Sequence, residues 1–167
     1  KAAGVVFAAS SLITPFFLGA IAGAVASGRV PATGTGDIWS SWLNPASILG
    51  GVLAVLTCTF LAGVFLAADA QGLAQHDLAE TLGRRSLYVG ALTGAVAIVG
   101  IIPLSTDAET LFDGLRTHAF VFIAASAING MMTLRLLLRG MPRVARLSAA
   151  VAVASVVAGW GVGQYPW

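Results

Sequence analysis

The chain alternates between long apolar stretches and short polar ones. The apolar stretches cover residues 2–27, 45–68, 87–104, 118–138 and 144–163, and none has a charged residue near its middle. About 20 consecutive apolar residues are enough for a helix to cross the hydrocarbon of a bilayer. Inside lipid a helix also satisfies its own backbone hydrogen bonds, which an open loop cannot do. The pattern therefore predicts an all-α fold, a polytopic transmembrane helix bundle of about five spans forming a single transmembrane domain. The third stretch is the shortest, and Pro103 near its end is expected to break the helix. Thr14-Pro15 lies inside the first stretch and is expected to kink it, because the carbonyl deprived of its donor must find another partner.

The polar connections carry helix punctuation. Asn44 followed by Pro45 reads as an N-cap with proline at the first helical position. Thr106, with Glu109 three residues later, fits a capping box, and a short surface helix is expected from Asp107 to Leu115, ended near Gly114 or by Arg116. Residues 27–41, rich in Gly, Ser, Thr and Pro, form the longest predicted loop, and 69–85, with its Asp, His, Glu and Arg residues, reads as a wet one.

Composition agrees with a membrane chain: 57% of the 167 residues are hydrophobic and 10% are charged, against about 25% charged in soluble domains. Mean hydropathy is +0.90. Apolar runs continue to the end, so the first is a mature span and not a signal peptide. The lack of an initial Met and the abrupt end at Trp167 suggest a piece of a longer protein. A net charge of +2 is too small to suggest nucleic acid. The single cysteine, Cys58, excludes an internal disulfide.

Five spans divide the nine basic residues unevenly: Lys1, Arg84, Arg85, Arg135, Arg139, Arg143 and Arg146 fall on one side, and Arg29 and Arg116 on the other. The positive-inside rule puts the larger group, with loops 69–86 and 135–146, in the cytoplasm. Trp39, Trp42, Trp160, Tyr165 and Trp167 then gather at the outer interface, where amphipathic rings are favoured.

Small residues recur at helical spacing, and these are the positions through which membrane helices pack closely. They are Gly19, Gly23 and Ser27 in the first span, Gly90 and Gly94 in the third, and Ser148, Ala152, Ser155 and Gly159 in the fifth. Such seams could also leave voids for a small apolar gas. Among polar span residues Asn129 stands out, for an interhelical hydrogen bond or a place on a proton or quinone path. Asp69 reads as a solvated helix end or as a partner for Arg84 or Arg85. His76 and His118 fall on opposite sides by this count and cannot share one haem. Met131 and Met132 read as core filler. No catalytic, cofactor-binding or metal-ligating set emerges. Thr14, Pro15, Asn44, Asp69, His118 and Asn129 are the candidate structural or path residues.

Several segments together resemble subunit II of the cytochrome bd-type quinol oxidases. They are residues 10–23 (SSLITPFFLGAIAG) followed by 27–31 (SGRVP), then 42–45 (WLNP), Gly50-Gly51, and the apolar run from Leu53 to Asp69-Ala70. The closing 159–166 (GWGVGQYP) is typical above all of the cyanide-insensitive branch. The resemblance covers essentially the whole chain and implies a longer subunit of which this is the middle and later part. The family's early Asp-Gly-Phe-type and Trp-Asp-Gly-type motifs do not occur here, so no proton-path residue carries over.

The resemblance further implies a bacterial plasma-membrane enzyme that oxidises quinol, reduces dioxygen to water and builds a proton gradient. Haem b and haem d would sit in subunit I. Subunit II would be its haem-free heterodimer partner, surrounded by membrane lipid and tied to dioxygen access, proton uptake and a structural quinone. Two other classes compete: a fragment of a secondary transporter or permease, and a purely structural assembly factor. The lack of a mid-membrane charge counts against the transporter.

Overall fold

The computed structural model describes residues 2–31, 34, 36–37 and 39–165. Lys1, Pro166 and Trp167, used above for charge, motif and aromatic placement, lie outside the described residues. The chain is 84% helical, with seven helices among the described residues: α1 (Ala2–Ala26), α2 (Pro45–Gly72), α3 (His76–Val99), α4 (Ile101–Asp107), α5 (Glu109–Thr117), α6 (Phe120–Leu138) and α7 (Pro142–Gly163). Five helical segments are long and apolar enough to span a membrane, with α3 and α4 counting as one. The shortest, α6, has 19 residues, or about 28 Å at 1.5 Å per residue, close to the hydrocarbon thickness.

The predicted wet loop before the third span is almost entirely helical. α2 continues to Gly72 and α3 already begins at His76, so only residues 73–75 turn. Hydropathy marks where a helix enters lipid, whereas the charged turns outside lipid continue it without changing its periodicity. The turn closes on Ala74, a non-glycine residue at φ 58°. Gln75 N–H donates to Ala70 C=O and Ala74 N–H to Gln71 C=O, the two bonds of a Schellman motif. The turn after α6 repeats this pattern with Gly140 at φ 68°, the residue that tolerates a left-handed conformation without a Cβ penalty.

The third segment is interrupted at Gly100, one turn before Pro103. Proline at 103 has no N–H for the Val99 carbonyl, so the fault falls where that bond is missing. Thr106 is not a cap. It lies within α4, and its hydroxyl donates back to the Ile102 carbonyl at 3.3 Å. The surface helix starts at Glu109 and runs to Thr117 instead of spanning Asp107 to Leu115. α1 is helical through Pro15.

By contacts the chain divides into two units. The first comprises Lys1–Val55 with Val96–Phe112, and the second Leu56–Ala95 with Asp113–Trp167.

In the first unit α1 crosses the start of α2 through glycines. A Cβ added at Gly19 would lie 2.6 Å from the Ala54 Cβ and closer still to the Gly50 carbonyl. One at Gly23 would lie 2.6 Å from the Ser47 Cα, and one at Gly51 would lie 2.7 Å from the Phe16 ring. Backbones meet here with no side chain between them, the close approach that small residues permit in lipid.

In the second unit Phe60, Val64, Leu137, Ala145 and Ala149 form the buried core. Gly90 packs against Phe60 and Leu134, whereas Gly94 has nothing within 4 Å and belongs to no seam. The expected small-residue stripe of α7 is buried: Ser148, Ala152, Ser155 and Gly159 all face inward. Met131 and Met132 are 54% and 45% exposed, on the outer face of α6 and not in the core. The spacing rule gave their helix but not which side of it would be covered.

Candidate functional site

The first unit carries a polar cluster at the start of α2. Helix N-termini leave amides without intrahelical partners, and here two side chains take them. Asn44 Oδ1 accepts from the Ser47 amide at 2.8 Å, the cap expected from Asn44-Pro45. Its Nδ2 donates to the Ser41 carbonyl at 3.0 Å, so a side chain only 1% exposed is satisfied at both ends. Asp107 supplies the second cap. Its Oδ2 accepts from the Ala46 amide at 3.0 Å, while its Oδ1 pairs with the Arg29 guanidinium. The Asp107 side chain is 6% exposed and the Arg29 side chain 43%.

A carboxylate at a helix N-terminus also meets the positive end of the helix dipole. With both oxygens engaged, Asp107 ties residues 29, 46 and 107 together and is not placed to pick up a substrate. Asp107 and Arg29 form a structural pair that sequence reading missed. The available signal was the rarity of charge: both lie in loops assigned to the same side by the span count.

Nearby, Asp37 Oδ1 accepts from the Trp39 and Ser40 amides at 2.8 and 2.7 Å. These amide bonds, that from Ser40 foremost, hold its pKa below the ordinary carboxylate value.

In the second unit Thr133 Oγ1 and Ser148 Oγ lie 2.8 Å apart, a buried hydrogen bond between α6 and α7. This is the interhelical bond expected of Asn129, one turn earlier on α6. Asn129 instead donates to the Ala125 carbonyl of its own helix at 2.9 Å. Asp69 is exposed and lies 3.8 Å from Arg146, while Arg84 pairs with Glu80 at 3.1 Å one turn away on α3. Asp69 is thus solvated, as one of its two readings had it, and its ion partner is in the first turns of α7 and not Arg84 or Arg85. His118 is exposed, with Nδ1 2.8 Å from the Thr117 hydroxyl. Thr14 is exposed and Pro15 half-buried on α1. Among the described residues no three His, Cys, Asp or Glu side chains converge.

The side chains that could ligate a haem are two histidines, three methionines, two tyrosines and Cys58, and Met141, Tyr88, Tyr165 and Cys58 are all exposed. His76 and His118 are exposed at helix ends, and Met131 and Met132 are on the outer surface of α6. These residues do not fit a haem held within this chain.

A family model for cytochrome bd terminal oxidase subunit II matches residues 1–167. The chain belongs to that family. No curated protein and no solved structure matches it. Membership makes this multi-pass chain a membrane subunit of a bd-type terminal oxidase, and at the level of the complex its role is oxidoreductase. A partner oxidase subunit is implied in the same way.

Proposed function

We propose that this chain is a haem-free subunit II that packs in the plasma membrane against the haem-bearing subunit I, as a heterodimer oxidising quinol and reducing dioxygen to water. The observation that carries the reading is the family match along all 167 residues. Two structural features support it. The histidines and methionines among the described residues face outward, which supports a reading with haem b and haem d on the partner. Asn44 caps a helix and Thr133 with Ser148 pairs two helices, in keeping with a supporting role.

The seven-to-two partition of basic residues supports an orientation with the turns around residues 73–75 and 140 in the cytoplasm and the loops that carry Arg29 and Asp107 outside. In this arrangement dioxygen, quinol and a structural quinone meet the complex, while this chain supplies scaffold.

Co-purification tests the reading. A tagged full-length protein should bring down a partner with haem absorption and quinol-dependent oxygen uptake. A purified complex without haem that supports solute flux would refute it. Sidedness is tested separately by single cysteines near residues 31 and 140: impermeant maleimide added to intact cells should label the first only.

A further inference from the structure

Within the second unit, a cavity of about 500 Å³ opens between the end of α2, the first turns of α3, the end of α6 and the start of α7. Its lining is two-faced. Gln71, His76, Glu80 and Arg84 supply polar groups, and Leu87 and Leu137 supply an apolar wall. The helix ends around it are tied together by Gln71 Nε2, which donates to the Gly140 carbonyl at 3.1 Å, and by the Asp69–Arg146 pair. Six arginines (84, 85, 135, 139, 143 and 146) stand at these ends or within three turns of them, against three acids (69, 77 and 80), a net formal charge of +3.

We propose that this cavity binds one anionic phospholipid, with the headgroup phosphate against Arg84, His76 and Gln71 and the start of an acyl chain along Leu87 and Leu137. Three properties point to that occupant. The cavity lies where charged helix ends give way to apolar helix, the depth at which a headgroup meets its chains. Its surroundings are net positive, which favours an anionic over a neutral lipid. Among the described residues Arg84 pairs with the exposed Glu80 on its own helix, a pair of little energetic consequence, and it can turn to a phosphate, which it can bind in bidentate fashion. The proposal does not depend on which respiratory role the chain plays.

Gly83 makes the test specific. It lines the cavity, and a Cβ added there meets nothing within 4 Å. Gly83→Phe therefore introduces a ring at the cavity lining from a Cβ position that is open. The complex containing the full-length protein, delipidated in neutral detergent, is titrated with short-chain phosphatidylglycerol, phosphatidylcholine or inorganic phosphate. Binding is read by native mass spectrometry.

The expected result is one tightly held phosphatidylglycerol, no comparable binding of phosphatidylcholine or free phosphate, and loss of the site in Gly83→Phe with an unchanged melting temperature in detergent. Arg84→Gln should weaken phosphatidylglycerol about fivefold, the effect of one basic group near a lipid headgroup. Equal binding of the two lipids, free phosphate binding equally well, or retention of the lipid in Gly83→Phe would each overturn the proposal. So would a failure to bind any lipid, as expected if another protein segment fills the space.

Discussion

Replacing Gly19 by alanine adds one methyl group to the crossing of α1 and α2. That carbon would sit 2.6 Å from the Ala54 Cβ, whereas carbon atoms pack at about 3.5–4.0 Å. The obstacles include the Gly50 backbone, which cannot rotate away, so the helices must part by about 1 Å. A gap of that size removes roughly a quarter to a half of the dispersion energy of the atom pairs it separates. Overpacking of this kind costs about 1–3 kcal/mol. The same substitution also gains about 0.5–1 kcal/mol, because alanine is the better helix former. Gly94→Ala isolates the steric part, since it makes the same chemical change in a helix where the new methyl meets nothing within 4 Å.

Equilibrium unfolding of the purified complex in mixed detergent, with increasing denaturing detergent, measures both variants. Gly94→Ala should be neutral or slightly stabilising, and Gly19→Ala should fall about 1–3 kcal/mol below it. Gly19→Leu should fall further and reduce the yield of assembled complex. Equal stability of the two alanine variants would show that the crossing is not packed backbone to backbone and would refute the reasoning.

The start of α2 gives a pair of opposed outcomes in the same assay. Asn44→Ala removes a cap and should cost about 0.5–2 kcal/mol. Ser47→Ala should instead be neutral or stabilising by up to about 1–3 kcal/mol, because the buried Ser47 hydroxyl has no hydrogen-bond partner among the described residues. Asp107→Ala should cost about 0.5–2 kcal/mol through the lost cap, with little added from the half-exposed Arg29 pair after solvent screening, and Asp107→Asn should keep most of the cap. Ala74→Gly should stabilise the α2–α3 turn by about 1 kcal/mol, the ordinary penalty for a side chain in the left-handed region; an unchanged midpoint would place that turn in another conformation. For Asp37, the folded pKa lies below the unfolded one. Its turn therefore contributes stability at neutral pH that is lost as pH falls through the folded pKa. Acid titration followed by tryptophan fluorescence near Trp39 should show a transition that Asp37→Asn removes.

The spans were legible because lipid imposes a one-dimensional rule, a long enough run without charge. The 118–138 and 144–163 stretches became α6 and α7, whose boundaries are Phe120–Leu138 and Pro142–Gly163. The Asn44 cap was legible because it is local, resting on residues four apart or closer. What could not be read was partnership between distant residues. Thr133 and Ser148 were both recognisable as polar or small span residues, but only packing decides that they meet, leaving Asn129 bonded within its own helix. The Thr106–Glu109 signature failed because Pro103 restarts the helix early and carries Thr106 into its interior. Asp107, expected only as the start of the short surface helix, gains its role from Arg29 and Ala46, which precede it by 78 and 61 residues.

That separation orders the birth of the protein. When the first two apolar segments have left the ribosome, α2 has the Asn44 cap, but its second cap does not yet exist. Residue 107 follows the end of α2 at Gly72 by 35 residues, so at about 5–20 residues per second it is made roughly 2–7 s after that helix is complete. Until the third segment has crossed the membrane, the nascent hairpin holds a bare Ala46 amide and an Arg29 without its carboxylate, so the pair can lock only once that crossing is complete.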